Sequence, residues 1–397
     1  MSEHTPPDPR ARPWLQLTLG MLANAAGTIV ASVPVFLIPH LYLTEGITLV
    51  EAGFFAAAPT IGTLLTLIVW GVIVDRIGER AVIGAGLTIL TVGAIGASLT
   101  DGLVAWSIAF FLCGVGASST NSASGRLVVG WFSPERRGLA MGIRQTALPL
   151  GMGAAALFVP TLAEDVSVHA AIVTATGIGA IVLVASVVGI LDPPRAARHH
   201  AHAAELANPY RGSAVLPRIH LASALLTIPQ FVVWTFMLVW LIDSRGWSTT
   251  SAATVVAAGH ALAIVGRVGA GWWSDAAGSR LGPMRIVAWA AAASMVAVAL
   301  LDPTVLAVPA MLVAATIVVA DNGLAFTSVA EIAGPWWSGR ALGIQNTGQY
   351  AVSGLLPPVG GWLITAASYP AAFAAAGVFA ALAVPLIPTR EHEPRPD

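Results

Sequence analysis

Twelve apolar runs divide this sequence of 397 residues, and each is about as long as a helix that crosses a bilayer. The runs cover residues 14–38, 51–74, 81–99, 103–130, 138–160, 168–191, 218–242, 250–273, 285–301, 304–331, 340–363 and 370–387. Hydrophobic residues make up 56% of the chain and charged residues 10%. Because backbone amides in hydrocarbon must bond within their own segment, the pattern predicts an all-α membrane protein with twelve transmembrane helices.

The two halves of the chain repeat one short pattern. Four residues that close the second run return 200 positions later: Gly71, Asp75, Gly78 and Arg80 recur as Gly271, Asp275, Gly278 and Arg280. Duplicated membrane units of this kind are typical of proteins that move solutes. The predicted organisation is an N-terminal tail (1–13), a six-helix half (14–191), a cytoplasmic linker (192–217), a second six-helix half (218–387) and a C-terminal tail (388–397).

The arginines predict the orientation. The chain has no lysine, and fifteen of its nineteen arginines fall on one side of the predicted spans, with only Arg245 on the other. Positively charged loops stay in the cytoplasm, so both termini are expected there and the protein is expected in the plasma (inner) membrane.

Several classes of protein are disfavoured. A net charge of −1 argues against nucleic acid as a partner, and a lone Cys113 excludes an internal disulfide framework. The first 13 residues are polar, which argues against a cleavable signal peptide. His199 and His202 are better explained as parts of a solvated linker than as metal ligands. No nucleotide-binding or hydrolase motif appears, so neither a cofactor nor an enzymatic activity is predicted.

The chain resembles the major facilitator superfamily of secondary transporters over almost its whole length. The signature Gly-x-x-x-Asp-Arg-x-Gly-Arg is met at Gly71, Asp75, Arg76 and Gly78, while Glu79 stands where the last basic residue is usual and Arg80 follows it. The second copy keeps Asp275 and Gly278 but has Ala276 in place of the arginine. The resemblance implies two six-helix halves that expose a central site alternately to each side.

The signature residues suggest a latch between conformations. Gly71 and Gly271 permit close helix approach, and Asp75 and Asp275 lie at helix C-termini, where the helix dipole disfavours an anion. The family arrangement implies that the start of span 11 compensates Asp75 and that the start of span 5, with Gly138, compensates Asp275. The alternative is loop anchoring without a conformational effect. The residues assigned to gating are Gly71, Asp75, Arg76, Gly78, Arg80, Arg126, Arg137, Arg267, Gly271, Asp275, Arg280, Glu331 and Arg340.

Ionisable side chains inside the spans are the strongest functional candidates, because burying them in a membrane is costly. Arg144 is predicted to bind substrate, with a structural pairing to Asp321 as the alternative. The amides expected to line the same cavity are Gln145, Asn121, Gln230, Gln345, Asn346 and Gln349. Arg126 and Glu331 are expected to pair in a cytoplasmic gate, and Arg267 is either structural or cavity-lining.

Two groups are candidates for carrying protons. His260 can titrate near neutral pH, although a hydrogen-bonded core histidine is the simpler explanation. Asp321 interrupts an apolar run and would resist ionisation if it had no partner.

The surplus of intramembrane arginine over acid favours a small anionic substrate, because guanidinium groups offer fixed paired donors. The chain also resembles, loosely, the organic-anion, monocarboxylate and cyanate-type branches of the superfamily. Proton-coupled transport of a small organic anion is therefore predicted, by a monomer. Proton-coupled efflux of drugs or metabolites is the alternative, and a transporter-like membrane sensor is a minor one.

Overall fold

The computed structural model describes residues 12–47, 49–194 and 206–389. The predicted tails outside residues 12–389 and the histidine-rich part of the linker lie outside the described residues. The described part of the chain consists of helices joined by short turns and contains no strand. This is the all-α architecture that the apolar runs predict.

The described residues divide into two compact units. The first unit takes the residues up to Phe132 and those from Ala147 to the linker, and the second takes Ser133–Thr146 and the residues that follow the linker. Ser133–Thr146 is thus the one segment that groups differently from the predicted halves of 14–191 and 218–387.

The first unit is built from six long helices. They are α1 (Pro13–Leu43), α2 (Leu49–Ile77), α3 (Glu79–Ser98), α4 (Leu103–Trp131), α6 (Ala147–Asp165) and α7 (Val168–Gly189). Their buried faces form apolar clusters, one of them around Phe55, Trp106 and Phe110.

The second unit begins with α5 (Pro134–Arg144) and resumes after the linker. Its further helices are α8 (Val215–Asp243), α9 (Thr249–Ala276), α10 (Leu281–Leu301), α11 (Ala307–Ile317), α12 (Asp321–Ala333), α13 (Ser338–Ala366) and α14 (Tyr369–Ala383), followed by the 3₁₀ turn Val384–Leu386. α5 packs against α9 and α12.

Eleven of the twelve predicted spans correspond, in the described residues, to helical segments long and apolar enough to cross a membrane. The remaining one, predicted at 340–363, is a helix of 29 residues, α13, which is long enough at about 1.5 Å per residue. It is not among the eleven because its composition is less apolar: it carries Gln345, Asn346 and Gln349. The twelve-span arrangement and the cytoplasmic termini therefore stay predictions.

Two predicted spans are interrupted. Span 5 consists of α5 and α6, separated at Gln145 and Thr146, and span 10 consists of α11 and α12, separated at 318–320. The backbone at Gln145 (φ −69°, ψ −10°) and at Val318 (φ −65°, ψ −7°) stays in the right-handed helical region, so each break is a local tightening and not a loop. From the sequence, each of these spans was predicted as a single helix.

Candidate substrate and proton sites

Arg144 is the last residue of α5, and its side chain is almost completely buried, with 1% exposure. A cation at this position is favoured by the negative end of the helix dipole. Its guanidinium donates to the side-chain oxygen of Gln145 and lies 5.6 Å from the ring centre of Phe326 on α12. Arg144 therefore lies next to Phe326 of α12. This position is compatible with a substrate-binding arginine and with a structural one.

Arg267 on α9 is a second buried guanidinium, with 3% exposure. Its carbon Cζ lies 5.3 Å from the ring centre of Trp234 on α8. Within the described residues, its Nε and Nη1 atoms are buried without a hydrogen-bond partner. Two donors of this buried guanidinium are therefore, in that part of the chain, without the hydrogen bonds that normally accompany a buried charge.

Asp321 and His260 share the surroundings of Arg267. Asp321 has 2% exposure and is the first residue of α12, where the helix dipole favours an anion, and it interacts electrostatically with Arg267. The ring of His260 lies 5.5 Å from that of Trp234 and is also within the electrostatic reach of Arg267. The structure thus gives Asp321 an electrostatic partner in Arg267, whereas the alternative drawn from the sequence paired Asp321 with Arg144.

A chain of polar side chains joins α8, α12 and α13. Gln349 donates to the Ser223 hydroxyl (2.8 Å) and to the Asn322 side-chain oxygen (3.0 Å), and Asn322 donates to Gln230 (2.8 Å). Gln230 and Gln349, both predicted to bind substrate, therefore belong to one network. Asn346 donates instead to the backbone oxygen of Leu342 in its own helix (2.9 Å).

Gln345 lies in a different network, which the sequence did not predict. The side-chain oxygen of Gln345 contacts Nδ1 of His220, and Nε2 of His220 lies 2.9 Å from the Tyr210 hydroxyl. The ring of Tyr210 stacks on His220 with 5.9 Å between ring centres. His220 occupies an apolar run between Ile219 and Leu221, and Tyr210 is in the linker, so only the pairing of a linker tyrosine with a nearby histidine could have drawn attention to them.

The second signature copy forms an ion network at the start of α5. Asp275 accepts hydrogen bonds from the backbone N–H groups of Gly138 (2.9 Å) and Leu139 (2.8 Å), and it pairs with Arg280 (2.6 Å). The contact predicted between Asp275 and the start of span 5 is therefore present. A glycine is required at 138 because an added Cβ would meet the Gly271 carbonyl oxygen.

Glu331 extends this network. It pairs with Arg137 (3.4 Å) and with Arg280 (3.5 Å), so its partners in the second unit differ from the Arg126 that the sequence suggested. Arg340 packs over the ring of Trp337, with 4.3 Å between Cζ and the ring centre.

The first signature copy surrounds a buried arginine. Arg126 forms ion pairs with Asp75 and, at 3.1 Å, with Glu79, and all three side chains have 1–3% exposure. Within the first unit, the compensation for Asp75 thus comes from Arg126, while the predicted contact of Asp75 with the start of span 11 stays a prediction. Glu79, which departs from the family signature, serves as a second carboxylate for Arg126.

The turn between α2 and α3 explains two further signature positions. Gly78 has φ +96°, a conformation that side chains other than glycine's rarely adopt. Asp192 approaches it and accepts from the backbone N–H groups of Glu79 (2.6 Å) and Arg80 (2.9 Å), which caps α3. Arg80 donates to the Val187 carbonyl oxygen (3.0 Å), Arg76 is exposed, and Gly71 and Asn121 are buried.

Apart from Asn121, every residue predicted to bind substrate or carry protons lies in the second unit. Apolar spanning helices that bury guanidinium groups, a carboxylate and a chain of amides are typical of a multi-pass membrane transporter. The chain belongs to the Major Facilitator Superfamily, whose family model matches residues 18–353. It is accordingly a transporter of small molecules and not an enzyme.

Known relatives agree with this family. The MFS-type transporter Rv2994 of Mycobacterium tuberculosis is 46% identical over 379 residues, which cover 95% of this chain and 85% of the relative. Among solved structures, the fold is similar to the E. coli fucose:proton symporter FucP (TM-score 0.74, 16% identity, 94% of this chain and 97% of that one). It is also similar to the human organic anion transporter MFSD10 (TM-score 0.74, 17% identity, 97% of this chain and 100% of that one).

Proposed function

We propose that this transporter carries a small organic anion together with protons, and that Arg267 and Arg144 bind the anionic group. The observation that carries the proposal is Arg267: it is buried, and two of its nitrogens lack a hydrogen-bond partner among the described residues. Leaving a guanidinium in this state is costly, whereas a bound carboxylate would accept from one of these nitrogens.

The surrounding charges support an anion over a cation. Arg144 and Arg267 are buried in the second unit, while Asp321 is a buried carboxylate that interacts electrostatically with Arg267. A cationic drug would have to approach two fixed positive charges, which is unfavourable at short range. The amides of Gln230, Gln345 and Gln349 supply neutral donors and acceptors for the remainder of a polar substrate.

Asp321 is the favoured proton carrier in this proposal, with His260 as a second candidate. An anion that binds Arg267 competes with Asp321 for the same positive charge. If Asp321 takes up a proton as the anion binds, the total charge around Arg267 stays constant. Anion and proton would then bind together and be released together as the transporter alternates between its two sides.

The test is a thermal-shift screen on detergent-purified protein, followed by uptake into proteoliposomes. Acetate, benzoate and methanesulfonate are compared with cationic amphiphiles as ligands. A ligand at a hundred times its dissociation constant stabilises by about 2.7 kcal/mol, which gives a readable increase in melting temperature. We expect stabilisation by at least one anion, lost in Arg267→Gln and in Arg144→Gln and kept in the control Arg12→Gln, whose side chain is exposed.

Uptake then tests proton coupling. An imposed inward proton gradient should accelerate anion uptake in the wild type and have no such effect in Asp321→Asn. Stabilisation only by cationic or neutral amphiphiles, unchanged in Arg267→Gln, would contradict anion transport and favour the efflux alternative.

A further inference from the structure

Gln345 is held by His220 in a way that depends on where the histidine carries its hydrogens. The amide oxygen of Gln345 faces Nδ1 of His220. An amide oxygen can only accept, so Nδ1 carries the hydrogen and Nε2 of the neutral ring accepts from the Tyr210 hydroxyl. The amide nitrogen of Gln345 then points away from His220.

The amide nitrogen of Gln345 has no partner of its own among the described residues. Gln345 has 1% exposure, and within the described part of the chain its Nε2 is buried without a hydrogen-bond partner. A buried N–H₂ group without acceptors is destabilising. Gln345 therefore presents two donors that an acceptor from outside the chain can satisfy.

Protonation of His220 restricts this arrangement further. A neutral imidazole has one donor and one acceptor, so with the other tautomer Gln345 could turn its amide round and donate to Nδ1. A protonated imidazole donates through both nitrogens, and then only the Gln345 oxygen can face it. The two N–H groups of the Gln345 amide then point away from His220, where an acceptor from outside the chain can bind them.

We propose that Tyr210 and His220 are positioning residues that couple a proton to substrate binding through Gln345: protonated His220 fixes the amide so that its N–H groups bind an anion. The inference rests on the anion transport proposed above and adds a proton-sensitive element distinct from Asp321 and His260. It also gives the linker a function, because Tyr210 holds the far side of the His220 ring.

The other titratable groups on elements packed against α8 have their own surroundings. Arg340 covers Trp337, Tyr369 donates to Asp243 (3.3 Å), Glu331 and Asp275 belong to the Arg280 network, and Arg285 donates to the Ile387 carbonyl oxygen (2.8 Å). The others are Asp321 and His260, each of which interacts electrostatically with Arg267, and Tyr350, which interacts electrostatically with Arg144. On α8 itself, Arg218 donates to the Leu386 carbonyl oxygen (3.1 Å).

The chain is suited to a direct test because it contains only five glutamines: Gln16, Gln145, Gln230, Gln345 and Gln349. Labelling the glutamine side chains with ¹⁵N gives five N–H₂ groups, which single substitutions can assign. The wild-type Gln345 signal should shift as pH falls from about 8 to about 5, the range in which imidazoles titrate. In His220→Gln, whose additional side-chain signal is identified by comparison with His220→Asn, this titration of Gln345 should vanish, and in Tyr210→Phe its midpoint should move. Gln16, which bonds to the Gly189 carbonyl oxygen (3.2 Å) in the first unit, is the internal reference.

Adding benzoate and methanesulfonate separates this inference from the proposed function. Both should perturb the Gln345 signal, and their apparent affinity should rise about fivefold more between about pH 8 and about pH 5 in the wild type than in His220→Gln. His220→Asn is the second variant if His220→Gln melts at a lower temperature. A Gln345 signal that ignores pH, or that titrates equally without His220, overturns the inference. A normal titration with no response to either anion overturns the anion assignment and leaves the proton-sensitive pair in place.

Discussion

Arg126 and Arg267 are both buried arginines, but their partners differ. Arg126 pairs with two carboxylates, whereas Arg267 has two nitrogens without hydrogen-bond partners in the described residues. Removing Arg126 leaves two directly bonded carboxylates without their cation, whereas removing Arg267 affects one carboxylate, Asp321, and eliminates two nitrogens that had no hydrogen bond in that part of the chain. The two residues should therefore respond to different extents to the same substitution.

We predict that Arg126→Gln lowers stability by about 3–5 kcal/mol, because Asp75 and Glu79 would remain buried side by side without their cation. Arg267→Gln should lower the stability of the ligand-free protein by much less, because Asp321 is the one carboxylate in its electrostatic reach and two of its nitrogens make no hydrogen bond in the described residues. The measurement is thermal unfolding in detergent without added ligand. Equal destabilisation by both substitutions would show that Arg267 is structural.

Residue types predicted much of the site, since ionisable and amide side chains are rare in apolar runs. The sequence singled out Arg144, Arg267 and Asp321 on this ground alone, and all three are buried. It could not predict which charges meet: Arg126 to Glu79 and Glu331 to Arg280 depend on helix rotation and on turns such as Gly78. Their roles in binding and coupling stay predictions.

At the scale of elements, the breaks in spans 5 and 10 place a cation at the C-terminus of one short helix and an anion at the N-terminus of another. Arg144 closes α5, and Asp321 opens α12. Each charge is stabilised by the dipole of its own short helix. Hydrophobicity alone could not reveal the breaks, because the backbone around them stays helical in conformation. The visible signals were the polar residues beside them, Arg144 and Gln145 in span 5 and Asp321 in span 10.

The hydrogen bonds from α5 to Asp275 give an element-scale prediction. Asp275→Asn removes the charge that accepts from the N–H groups of Gly138 and Leu139, a loss of about 1.5 kcal/mol. Amide hydrogen exchange, followed by mass spectrometry, should become about tenfold faster at the start of α5, with α6 unchanged.

Asp192→Asn is the matched control, because Asp192 also accepts from two backbone N–H groups, those of the first two residues of α3. It should accelerate exchange at the start of α3 and leave α5 unaffected. Faster exchange throughout the second unit in Asp275→Asn would mean that Asp275 supports the unit as a whole and not α5 in particular.

At the scale of the whole molecule, the count of spans decides the topology. The eleven apolar segments become twelve only if α13 also crosses the bilayer, and α13 is the helix that carries Gln345, Asn346 and Gln349. Helices that line a solute path can carry such residues because they need not face lipid. An even count returns the chain to its starting side, and an odd count does not.

We predict that both termini lie on the cytoplasmic side. In a Cys113→Ser background, which removes the single cysteine, Ser2→Cys and Pro396→Cys should react with a membrane-impermeant maleimide only after the cells are opened. Val305→Cys, in an exposed turn on the side of Arg245, should react in intact cells. Labelling of one terminus alone in intact cells would mean that the number of spans is odd.

The grouping of α5 with the second unit has a consequence for dividing the protein into fragments. The backbone passes between the units three times, at each end of Ser133–Thr146 and in the linker. A protease cut in the linker therefore yields an amino-terminal fragment that still carries a piece of the second unit. Genes encoding the two fragments separately should complement each other as a split transporter, and a carboxy-terminal fragment expressed alone should require a synthetic α5 peptide to fold completely.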